Sequence, residues 1–149
     1  MNLQKFIATF SISLLPLQMV NAQAPNPITA AAAQEAGAVV TASGLVYRSL
    51  REGTGASPQA TDRVKVHYRG TLPDGKEFDS SYQRNEAIEF RLNGVIKCWT
   101  EGVQKMKVGG KSKLTCPPAI AYGERGAGGV IPPNATLIFE VELLGINGK

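Results

Sequence analysis

The chain has 149 residues, enough for one domain with a tail and too few for two full domains. Hydrophobic residues make up 43% and charged residues 19%, so a packed core is expected and wholesale disorder is excluded. A net charge of +4 falls short of a nucleic-acid footprint, two cysteines cannot build a disulfide scaffold, and one histidine excludes most metal and triad constellations.

Residues 1–22 have the three-part layout of a secretory signal: Lys5 near the start, an uncharged and mostly apolar stretch from Phe6 to Val20, then small residues around Ala22 and Ala24. The apolar stretch is too short, and too interrupted by Ser11, Ser13, Pro16 and Gln18, for a stable membrane span. Cleavage after Ala22 is preferred to cleavage after Ala24, because Pro25 would obstruct the second cut. Residues 23–43, rich in alanine and proline with Glu35 as their single charge, read as a linker. Ala30 to Ala36 can form a helical turn or two, but so short a helix is marginal alone in water.

From Ser43 onward the pattern is one of short alternating runs. Val64 to Tyr68, Ile88 to Leu92, Lys111 to Cys116 and Leu137 to Leu144 each alternate as half-buried strands do. Leu72-Pro73-Asp74-Gly75-Lys76 is a tight turn, with proline fixing φ and glycine accepting positive φ. One segment reads as a helix: Trp99, Val103 and Met106 fall at i, i+4 and i+7, and Gly109-Gly110 can close it. Strands around a single short helix predict an α+β domain over residues 44–149, a mainly antiparallel sheet wrapped on the helix.

The common catalytic motifs fail. Gly110-Lys111-Ser112 ends like a phosphate-binding loop, but the spacing needs glycine at 105, where the chain has Lys105. His67 sits alone in a strand, without the spacings of a zinc site or a Ser-His-Asp triad. What remains is Tyr68, Phe78, Trp99, Tyr122 and Phe139 at strand ends and element boundaries, with Asp79 directly after Phe78. That set suggests an apolar pocket with a carboxylate and a phenol at its rim, suited to a hydrophobic ligand that offers one or two carbonyls.

Five blocks carry a resemblance. They are Val66-His67-Tyr68-Arg69-Gly70, Lys76-Glu77-Phe78-Asp79-Ser80-Ser81, Val95 to Gly102, Ala121-Tyr122-Gly123 and Ile131 to Phe139. Their order and spacing resemble the FKBP-type peptidyl-prolyl cis-trans isomerases, and among these the short secreted members related to the macrophage infectivity potentiator group. Longer members of that group carry an N-terminal helical dimerisation module, for which this chain is expected to have no room. The resemblance implies five or six antiparallel strands around the helix near residues 98–106, and it implies a substrate of proline-containing polypeptides. Trp99 would be the pocket floor, Tyr68, Phe78 and Phe139 its walls, and Val95 and Ile96 its aliphatic edge. The Ile96 N–H and the Tyr122 hydroxyl would donate to substrate carbonyls, and Asp79 would be held by Tyr68 and Arg84. Ile131, with Val130, would overhang the site. Ile88 stands where many relatives carry phenylalanine, so an altered substrate preference and weaker binding of macrolide inhibitors are expected. The implied reaction uses no metal or cofactor. The signal implies a periplasmic protein, with outer-membrane association or secretion left open. In such a compartment Cys98 and Cys116 can pair, or remain two buried thiols; geometry decides.

Overall fold

In a computed structural model of the chain, residues 26–147 are described, so the expected signal lies outside the described residues. The order of elements is α1 (Pro27–Ala33), β1 (Val39–Val40), β2 (Val46–Arg51), β3 (Arg63–Thr71), β4 (Glu77–Ser80), β5 (Ile88–Arg91), α2 (Lys97–Val103), β6 (Lys111–Cys116) and β7 (Leu137–Ile146). All pairings are antiparallel, and the sheet runs β1-β2-β6-β7-β3-β4. β5 adds to β3 beside the Arg63 to Val66 half, while β4 takes the Arg69 to Thr71 half. Two short strands therefore share one edge of β3, and the loop between them opens a gap where side chains can gather.

The antiparallel sheet wrapped on a helix is as the sequence predicts, with seven strands instead of five or six. The additions are slight, since β1 has two residues and β4 and β5 four each. Strand alternation sets the layers. Val64, Val66 and Tyr68 of β3, and Leu137, Phe139, Val141 and Leu143 of β7, are buried on one face and form one core with Leu114, Trp99 and Val103.

Helix α2 approaches that face closely because of Gly102: a Cβ there would lie 2.8 Å from Leu114 Cδ2. The helix ends at Val103, sooner than its periodicity suggests. Met106 is buried in the turn that follows, with its N–H on the Val103 carbonyl, so its burial mimics another helical turn. The predicted turn at 72–76 forms, closed by the Leu72 N–H on the Lys76 carbonyl at 2.8 Å, with Gly75 at φ 89°.

The segment read as a linker is placed against the domain from Asn26 onward. Asn26 caps α1 by accepting the Ile28 N–H at 2.9 Å, and Pro27 starts the helix, where a missing N–H costs nothing. Glu35 then ties it down, accepting from Arg48 Nη1 at 2.7 Å and Lys113 Nζ at 2.6 Å. β1 pairs with Val46 and Tyr47 of β2. Tertiary contacts thus support a helix that is too short to stand alone.

Candidate functional site

Between α2 and the β3–β4–β5 side of the sheet lies a cavity of about 570 Å³. Tyr68, Phe78, Asp79, Ile88, Val95, Ile96, Trp99, Tyr122 and Phe139 line it, all of them predicted from the sequence, together with Phe90 and Gly94, which were not. Phe90 shares the inner face of β5 with Ile88, since the two pair with Val64 and Val66 of β3. The alternation of Ile88 and Phe90 was the signal that could have found it. Ile131 is the exception: it is buried, bonded through its backbone to Ala127, and lines a neighbouring hollow with Leu72 and Pro132.

The floor is the indole of Trp99, nearly buried in the first turns of α2. Tyr68 and Phe139 meet it edge-on, with ring centroids at 5.1 and 5.2 Å, and Phe90 lies tilted at 5.4 Å. Phe78 in turn stands edge-on to Phe139 at 5.6 Å. Such pairs stabilise by about 0.5–1.5 kcal/mol each beyond the area they bury. Gly70 makes room for them, because a Cβ there would lie 2.5 Å from the Phe78 ring and 3.0 Å from Phe139. Trp99 Nε1 is buried without a hydrogen-bond partner among the described residues.

Polar groups sit at the rim. The Tyr68 hydroxyl donates to Asp79 Oδ2, and Arg84 donates to Asp79 Oδ1 at 2.5 Å and to the Tyr68 oxygen at 3.2 Å. Burial works to raise the Asp79 carboxyl, but the Tyr68 hydroxyl and the Arg84 guanidinium together outweigh it and hold the group below its ordinary value. Burial, and then the adjacent carboxylate, push the Tyr68 hydroxyl above its ordinary value. Both groups therefore keep one charge state across the neutral range: carboxylate and protonated phenol.

Two further residues of the cavity lining, Ile96 and Tyr122, carry donors. The Ile96 carbonyl accepts the Trp99 and Thr100 N–H groups at 3.0 and 3.2 Å, while the Ile96 N–H makes no backbone hydrogen bond among the described residues. Tyr122, 40% exposed, stands on the long loop between β6 and β7. Cys98 and Cys116 form a disulfide with Cα atoms 5.9 Å apart, joining the start of α2 to the end of β6 beneath this site. His67 is taken up elsewhere, with its Nδ1 on Ser81 Oγ at 2.8 Å and its ring stacked on Tyr82.

Residues 55–144 match the family described as FKBP-type peptidyl-prolyl cis-trans isomerase. This chain belongs to that family. It is 54% identical over 114 residues to the FKBP-type peptidyl-prolyl cis-trans isomerase FkpA of Escherichia coli, covering 76% of this chain and 42% of FkpA. The chain thus spans less than half the length of that relative. FK506-binding protein 1 of Dictyostelium discoideum is 54% identical over 68% of this chain and 96% of its own length. The crystal structure of FkpA from Escherichia coli superposes with a TM-score of 0.79 at 49% identity, covering 82% of this chain and 57% of that one. A peptidyl-prolyl cis-trans isomerase from Pseudomonas syringae superposes with a TM-score of 0.76 at 40% identity, covering 82% and 90%.

Proposed function

We propose that this protein is a peptidyl-prolyl cis-trans isomerase that acts on proline-containing polypeptides in the periplasm and assists their folding. The observation that carries the reading is the aromatic cavity over Trp99 with Asp79, Tyr68 and Tyr122 in its lining. Rotation about a peptide C–N bond faces a barrier of about 18–20 kcal/mol, because resonance gives the bond double-bond character. For X–Pro bonds exchange takes on the order of tens to hundreds of seconds. The planar amide is the more charge-separated form, and twisting localises the nitrogen lone pair. A pocket walled by Tyr68, Phe78, Phe90, Trp99 and Phe139 therefore disfavours the planar form relative to the twisted one. The Ile96 N–H and the Tyr122 hydroxyl fix the flanking carbonyls, while Asp79 and Arg84 hold the Tyr68 ring in its place in the wall. Each 1.36 kcal/mol of preferential transition-state binding is tenfold in rate.

Residues 1–22 act as the signal in this reading, and residues 44–149 as the isomerase domain. The Cys98–Cys116 disulfide supports an oxidising compartment. Family macrolides enter the same cavity, with affinity reduced by the smaller wall at Ile88. The test is catalysed isomerisation of a series of X–Pro peptides, with and without a macrolide. Turnover that the macrolide blocks is expected. A folded protein that binds the peptides without accelerating them would overturn the enzyme and leave a peptide-binding chaperone.

A further inference from the structure

A second concavity, of about 770 Å³, adjoins the aromatic cavity and shares Val95 with it. It runs along the outer side of α2 and is lined by Asn93, Lys97, Thr100, Glu101, Gln104 and Lys105. Two of its three neutral polar side chains are already committed: Thr100 Oγ1 donates to the Leu92 carbonyl and Gln104 Nε2 to the Thr100 carbonyl, each at 2.7 Å. Its one carboxylate keeps its charge but is engaged by hydroxyls: Glu101 accepts from Thr41 Oγ1 at 3.0 Å and from Ser43 Oγ at 2.5 Å, and it forms no ion pair with either lysine among the described residues although it lines the same groove. Lys97 and Lys105 are exposed and form no ion pair among the described residues. The groove thus offers two uncommitted ammonium groups beside the aliphatic edge of the cavity.

We infer that this groove sets substrate preference, with Lys97 and Lys105 receiving an acidic side chain close in sequence to the X–Pro bond. The inference rests on the isomerase reading and names its substrate class: proline-containing polypeptides with aspartate or glutamate flanking the proline. A polypeptide held over Trp99 leaves the cavity past Val95 and enters the groove, where an acidic side chain meets both ammonium groups and a basic one is repelled. The pairing is exposed and so contributes modestly, about two- to fivefold at low salt. It fades at about 1 M salt, where the screening length is about 3 Å.

The test compares kcat/KM for three X–Pro peptides that carry Glu, Gln or Lys at the same flanking position, placed in turn before and after the X–Pro unit. The expected order is Glu above Gln above Lys for one of the two placements, collapsing at high salt. A protein carrying Lys97→Gln and Lys105→Gln should turn over the Gln peptide as before and lose the order, whereas Lys97→Arg with Lys105→Arg should keep it. Equal rates for the three peptides at low salt, or an order that survives the glutamine changes, would overturn the inference. If none of the peptides, the neutral one included, is accelerated, the isomerase reading fails instead. The preference is then read from peptide affinity by Trp99 fluorescence, where the same order supports the groove and equal affinities reject it.

Discussion

The two faces of one sheet use the same strands in opposite ways. On the concave face, Tyr68, Phe139, Val141 and Leu114 pack with Trp99 into a dry core that ends at the cavity. On the convex face, one residue along each strand, Arg69, Glu140, Lys113 and Arg48 stand in a row across β3, β7, β6 and β2, with Glu35 over the last two. A second row holds His67, Glu142 and Lys111, and there the Tyr82 hydroxyl and Arg51 both donate to Glu142. Exposure does not separate the faces, since Arg84–Asp79 at the cavity rim is more exposed than the Glu35 pairs of the convex face, and surface pairs contribute little on either; the rim pair differs in what it touches, because it holds the Tyr68 hydroxyl of the cavity wall. The number of charges on a face is therefore a poor guide to where charge matters.

The comparison can be broken from the concave side first. Trp99→Ala removes the ring that three aromatic neighbours touch, and should destabilise the fold by about 3–5 kcal/mol in urea unfolding. A loss below about 1 kcal/mol would mean that the floor is not part of the core. Removing the disulfide by Cys98→Ala with Cys116→Ala opens a link between residues 18 apart in sequence, and about 3 kcal/mol should be lost on the loop-entropy account. Unchanged stability on adding a reductant would show that the pair is not formed in solution.

The pH response sharpens the contrast. The folded Asp79 carboxyl lies below its ordinary value of 3.8, so its stabilisation is fully present above that value and is lost as pH falls through the lowered one. The Tyr68 hydroxyl is raised above 10.0 and stays protonated through the same range. Activity should accordingly be level between about pH 5 and 9, as far as these two groups govern it. A half-maximal point near pH 6 that moves in an Asp79→Asn protein would contradict this. The smallest effect is expected on the convex face. Glu35→Gln should change stability by about 1 kcal/mol or less, and high salt should remove the difference.

How much of this was legible in the sequence follows the range of the forces. β3 and β7 were readable because each alternates over at least eight residues between a buried and a more exposed face, while β6 alternates only from Lys111 to Leu114 before its end is buried throughout. The cavity residues were readable as aromatic side chains beside turns, and the family's blocks gave them roles. Phe90 was passed over although it shares a face with Ile88, and the hollow that holds Ile131 depends on how the long loop folds back on itself. The docking of α1 left almost no pattern, because Ala32 is its one buried residue and its anchor, Glu35 to Lys113, joins positions 78 apart. Disulfide pairing likewise depends on a Cα separation that spacing alone does not encode.

The most direct test of the account compares the two faces in one assay. Prolyl isomerisation is measured for the unchanged protein, for Asp79→Leu and for Glu35→Gln, each first shown to be folded. Losing the carboxylate leaves the buried Tyr68 hydroxyl without its acceptor, and kcat/KM should fall about ten- to a hundredfold. Glu35→Gln should stay within about twofold of the unchanged protein. Equal rates for all three would contradict the claim that the rim of the aromatic cavity is where this molecule works.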